Sequence, residues 1–104
     1  MGILSFLGLG NGKIRAALKK GGVVIDVRNV NEYDQGRIPG SVNIPLNRIE
    51  ASAERIRAMN RPVIFCCSSD TRSREALSIM KEKGLNEVYN GGSWTHVLKL
   101  MRSA

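Results

Sequence analysis

Short β-branched runs alternate with helical stripes along most of this chain. Val23-Val24-Ile25-Asp26-Val27 is a continuous run of the kind a strand shows when a parallel sheet covers it on both faces. Val42-Asn43-Ile44 before Pro45, the run Val63 to Cys66, and Glu87-Val88-Tyr89 predict three further strands. Helical spacing fills the intervals. Asn11 caps a predicted helix to about Lys20, with Ile14, Ala17 and Leu18 on one face and Gly21-Gly22 ending it. A short helical turn runs from Val30 to Gln35 before Gly36 and Pro39-Gly40 break the chain. Asn47 with Glu50 three residues on resembles a capping box, followed by the stripe Ile49, Ala53, Ile56. Ala76, Leu77 and Met80 mark a helix with Gly84 past its end, and Asn90 to Ser93 leads into a last helix carrying Val97, Leu98 and Met101. Strands alternating with helices predict an α/β fold around a mostly parallel sheet.

At 104 residues the chain is large enough for one domain and one core. The first ten residues are apolar but too short to span a bilayer, and they lack the basic flank of a signal peptide. Gly2 invites an acylation reading, but the hydroxyl falls at Ser5, one place short of that pattern. We read residues 1–10 as a leader, packed as part of the first element or partly disordered, ahead of a domain over residues 11–104; no membrane partner is expected. The only two cysteines are adjacent, which rules out an ordinary structural disulfide between them. With the lone His96 they do not make a zinc set, so no metal and no cofactor is expected. Reduced thiols point to the cytoplasm.

The formal net charge of +7 biases the surface towards anions. The basic residues are dispersed and no aromatic platform accompanies them, so a small anion fits better than nucleic acid.

The chemistry concentrates in Val63-Ile64-Phe65-Cys66-Cys67-Ser68-Ser69-Asp70-Thr71-Arg72-Ser73. A strand ends on a thiol, a polar loop follows, and a helix starts at once. The amide groups of that helix start favour a thiolate, so a cysteine there is expected to be partly ionised and nucleophilic. In parallel sheets such sites lie at the carboxyl ends of strands. Successive strand residues face opposite ways, so the two thiols cannot share one cradle.

Four blocks in order and spacing give a resemblance to single-domain rhodaneses. They are Ile25-Asp26-Val27-Arg28 with Glu32-Tyr33, the run Gly36 to Pro45, Cys67-x4-Arg72-Ser73, and Val88-Tyr89-Asn90-Gly91-Gly92. The resemblance implies a five-stranded parallel sheet flanked by helices on both faces. It also implies a sulfurtransferase in which a Cys67 persulfide carries sulfane sulfur from thiosulfate or a similar small anionic donor. The acceptor would be a thiol, cyanide or a protein. Cys67 is then the catalytic residue, with Ser68, Ser69, Asp70, Thr71 and Arg72 as the binding loop and Asp26, Arg28 and Arg37 in support. The chain departs from the family at Asp70, where glycine is usual, and at Arg37, where histidine is usual.

Two other readings stay open at this point. Cys66 to Arg72 is C-x5-R, the longer loop of cysteine phosphatases and arsenate reductases. The resemblance favours Cys67 instead: Pro62 to Cys67 matches the rhodanese spacing from proline to nucleophile, and Phe65 precedes Cys66 where the phosphatases favour histidine. A catalytically inactive rhodanese-like binding module is the remaining alternative. Within the loop, Asp70 or Thr71 is expected to cap the helix, and Arg72 to bind the donor or tie the loop down. Asp26, Arg28 and Glu32 are expected to form a buried ionic network, Asn43 to hold backbone nearby, and Trp94 to anchor the core. His96 is expected on a helical surface or in a local contact. Oligomeric state is not legible in the sequence.

Overall fold

Val23, Val24 and Ile25 have one environment available to them, a sheet interior, and all three are buried in β1 (Val23–Asp26). In the computed structural model, which describes residues 2–103, β1 follows helix α1 (Gly2–Lys19) and precedes α2 (Val30–Gln35). Strand β2 (Val42–Asn43) leads into α3 (Leu46–Ile49), a 3-10 turn (Glu50–Ser52) and α4 (Ala53–Met59). Then come β3 (Val63–Cys67), α5 (Thr71–Glu82), β4 (Val88–Ser93) and α6 (Trp94–Arg102). The sheet is parallel throughout, in the order β2-β1-β3-β4.

The side-chain alternation of β3 splits the interior into two layers. Val63, Phe65 and Cys67 face the layer shared with Ile49, Ala53, Ile56, Ala76 and Met80, from α3, α4 and α5. Ile64 and Cys66 face the layer shared with Ile14, Ala17, Val97 and Leu100, from α1 and α6. Helices therefore cover both faces of the sheet, as expected of a parallel one.

Four expectations need correction. The sheet has four strands among the described residues, where the resemblance implied five. The chain ahead of β1 is helical, and its Ala, Leu and Lys residues between 13 and 20 favour that state. Second, Asn11 is not a cap. α1 runs from Gly2, so residues 2–10 continue into the first element, and Asn11 Oδ1 instead meets His96 Nε2 at 3.0 Å. Third, Asn47 does not cap its helix, which begins one residue earlier at Leu46, directly after Pro45.

Fourth, β4 runs on through Asn90, Gly91 and Gly92 to Ser93. The extension contains a bulge. Phe65 pairs with Asn90 and Cys66 with Gly92, which leaves Gly91 as the extra residue. A side chain at Gly91 has no room, since a Cβ there would lie 2.6 Å from Val97 Cγ2 and 2.8 Å from Ile64 Cγ2. The Ala76–Met80 helix ends as expected: Gly84 takes φ +87°, and the amide of Leu85 returns to the Met80 carbonyl at 3.1 Å.

Candidate active site

The carboxyl ends of β1, β2 and β3 and the amino end of α5 meet at one place. Cys67 is the last residue of β3 and is 1% exposed. Its Sγ lies 3.3 Å from the amide nitrogen of Ser73, in the first turn of α5, and 3.3 Å from Ser73 Oγ. Ser73 Oγ–H in turn donates to the Asp70 carbonyl at 2.9 Å, which fixes the hydroxyl. Loop and helix start are thus knotted around this sulfur. The amides of Ser68, Ser69 and Asp70 have no acceptor among the described residues.

Cys66 has the opposite setting. It is fully buried against Ile14, Val24, Val97 and Leu100 in the other layer. Burial pushes its thiol well above the ordinary range, and the nearby Asp26 carboxylate adds to the effect. A nucleophile in the C-x5-R register would need this sulfur on the loop side. Strand alternation puts it on the far side.

Arg72 closes on Glu32 of α2. Its Nη1 donates to Oε1 at 2.7 Å and its Nη2 to Oε2 at 3.1 Å, a bidentate pair, and Nη2 also contacts Ser68 Oγ. Glu32 Oε1 further accepts the Asn29 amide at 2.9 Å and so restrains the start of α2. The Arg72 guanidinium, then the Asn29 amide, hold the Glu32 carboxyl down to about 2. Cys67 lies within electrostatic reach of Arg72.

Asp26 and Arg28 form a second pair, deeply buried. The Arg28 guanidinium also donates to the Gly36 carbonyl at 2.7 Å and the Glu32 carbonyl at 3.3 Å, and lies over the Trp94 ring at 4.7 Å. Asn43 Nδ2 bridges the carbonyls of Asp26 and Arg28, both at 2.9 Å, and so ties β2 to the end of β1.

Most of the expected site residues converge here, with three differences. Glu32 does not join the Asp26–Arg28 pair through its carboxylate, which Arg72 takes instead; only its carbonyl reaches Arg28. Asp70 stands at the N-cap of α5 but makes no side-chain capping bond. Its carboxylate accepts Asn90 Nδ2 at 2.8 Å and pairs with Arg74. Arg37 is exposed and stacks over the Tyr33 ring at 4.9 Å. Thr71 opens α5 and is exposed, as are Ser68 and Ser69.

The sequence reading gave Ser73 no role, although it holds the sulfur twice. Its place directly after Arg72 in the motif was the available signal. Among the described residues no cluster of His, Cys, Asp and Glu side chains suits a metal ion.

A parallel sheet with a thiol set at the start of the following helix defines a class, and the comparisons name it. The chain belongs to the Rhodanese-like domain family, whose model matches residues 11–96. It is 36% identical over 78 residues to the uncharacterised protein YqhL of Bacillus subtilis, a match covering 75% of this chain and 60% of that one. It is 35% identical over 69 residues to the thiosulfate sulfurtransferase PspE of Escherichia coli, covering 65% and 66%. The matches thus span less than two thirds of either relative. Among solved structures, a rhodanese with anions from E. coli superposes with a TM-score of 0.66 at 30% identity, covering 72% of this chain and 89% of that one. Family and fold together make this a rhodanese-like domain.

Proposed function

We propose that this protein is a sulfurtransferase whose nucleophile is Cys67, taking sulfane sulfur from thiosulfate or a similar donor. The observation that carries the reading is the 3.3 Å contact between Cys67 Sγ and the Ser73 amide. Charge on that sulfur meets an N–H at the positive end of α5, a twelve-residue helix. In the first step the Cys67 thiolate attacks the outer sulfur of thiosulfate. The sulfur–sulfur bond of the donor breaks, its electron pair leaves with sulfite, and the enzyme holds a persulfide anion. In the second step cyanide, a thiol or an acceptor protein attacks the outer persulfide sulfur, and the Cys67 thiolate returns. With cyanide the product is thiocyanate, and no oxidant or metal is consumed.

The unoccupied amides of Ser68, Ser69 and Asp70 support a loop that stabilises the terminal sulfur. The free thiols of Cys66 and Cys67 support a reducing compartment, which we take to be the cytoplasm. No helix among the described residues is long and apolar enough to cross a membrane.

Intact-protein mass after exposure to thiosulfate tests the proposal. The expected result is a gain of one sulfur, reversed by cyanide and absent in Cys67→Ser. A gain that survives in Cys67→Ser but is lost in Cys66→Ser overturns the assignment. Inertness to every sulfane donor would make the domain a binding module.

A further inference from the structure

The chain carries seven excess positive charges, yet they do not gather at the site. Arg72 is the arginine within electrostatic reach of Cys67, and a carboxylate matches it and two arginines of the neighbouring segments: Arg72 pairs with Glu32, Arg28 with Asp26 and Arg74 with Asp70. The basic residues Arg48 and Arg55 lie instead along a cleft of about 360 Å³ beside the open edge of β2. Arg72 is the loop residue with the geometry to grip an oxyanion, and both arms of its fork are already on Glu32. An incoming anion must displace that carboxylate or bind beside it.

We infer that Glu32 is a specificity-determining residue: by occupying Arg72 it biases the site towards sulfane donors whose leaving group carries one negative charge, and against the thiosulfate dianion. The favoured class comprises thiol persulfides and alkanethiosulfonates. With a persulfide R–S–SH, the Cys67 thiolate attacks the terminal sulfur, the R–S bond to that sulfur breaks, and R–S⁻ leaves. With methanethiosulfonate the leaving group is methanesulfinate. In each case one sulfur–sulfur bond forms on Cys67 and the bond to the donated sulfur breaks. The inference rests on the proposed role of Cys67 and sharpens it. Asp70, in the loop position where glycine is usual, acts in the same direction, because its carboxylate cancels Arg74.

The test compares thiosulfate with methanethiosulfonate, which replaces one charged oxygen by a methyl group. Glu32→Gln keeps an acceptor for Arg72 and for the Asn29 amide but removes the charge. Coulomb energy is linear in donor charge, so a gain of about threefold in kcat/KM for the monoanion implies about ninefold for the dianion, both through KM. Arg72→Gln leaves Glu32 uncompensated and is expected to move the ratio of the two donors the other way. Equal changes for both donors in Glu32→Gln, or shifts of the same sign in the two variants, overturn the inference while leaving Cys67 as nucleophile. Failure of both donors to load the wild-type protein overturns the proposed function and this inference together.

Discussion

Asp26 takes the Arg28 guanidinium on both carboxylate oxygens, with Nε at 3.0 Å from each and Nη2 at 2.7 Å from Oδ2. The Arg28 amide adds a bond to Oδ1 at 3.0 Å, so one residue of spacing at the end of β1 closes a complete ring of contacts. Both residues are buried, at 0% and 5% exposure.

Removing one partner strands the other. Asp26→Ala is therefore expected to destabilise the fold by about 3–5 kcal/mol, because it leaves an uncompensated buried guanidinium. Urea denaturation of the variant against wild type measures this. A midpoint within error of wild type would show that Trp94 and the backbone carbonyls satisfy Arg28 by themselves.

Cys66 packs in the α1 and α6 layer, and the proposed role of Cys67 leaves it no part in transfer. Cys66→Ala is expected to cost about 1–2 kcal/mol from lost burial and a small cavity. Its turnover of any sulfane donor should stay within twofold of wild type when assayed well below its melting temperature. Loss of turnover in a folded Cys66→Ala would give that thiol a part in transfer.

The β4 bulge predicts a packing defect at a residue outside the site. Gly91→Ala would place a methyl against Val97 Cγ2, Ile64 Cγ2 and the Phe65 carbonyl, at 2.6, 2.8 and 3.1 Å. Overpacking of this kind costs about 1–3 kcal/mol. A melting temperature equal to that of wild type would mean that β4 and α6 separate freely, against their burial here.

Glu32 gives the stability a defined acid dependence. Its carboxyl titrates at about 2 in the folded protein against an ordinary 4.5, so folding favours the ionised form. The stabilisation is complete above the ordinary value and disappears as pH falls towards the folded one. Between pH 4.5 and 2 the melting temperature of wild type is therefore expected to fall towards that of Glu32→Gln. Parallel curves for the two proteins across that range would show that the Arg72 contact contributes nothing to folding.

Much of this arrangement was legible in the sequence because the relevant signals are local. The β-branched run at Val23, the period-two placement of Cys66 and Cys67, and the stripe Ala76–Met80 each report an environment within a few residues. The C-x4-R spacing likewise put Cys67 and the start of α5 together. The misreadings have a common cause in glycine and in distance. Glycines at 8 and 10 stand ahead of the helix start expected at Asn11, yet α1 runs through both positions. Glycines at 91 and 92 read as a loop, yet the strand continues through them around a bulge. The partner of Arg72 lies forty residues away on α2, and no local pattern encodes that pairing.

The back-to-back sulfurs of β3 also constrain how such a scaffold can change its chemistry over time. A seven-residue loop for a tetrahedral oxyanion cannot be reached by recruiting the neighbouring thiol, since that would require turning the strand over and exchanging its two oily faces. The short route is to keep the existing thiol and insert one residue between it and Arg72, an edit of length that leaves the interior intact.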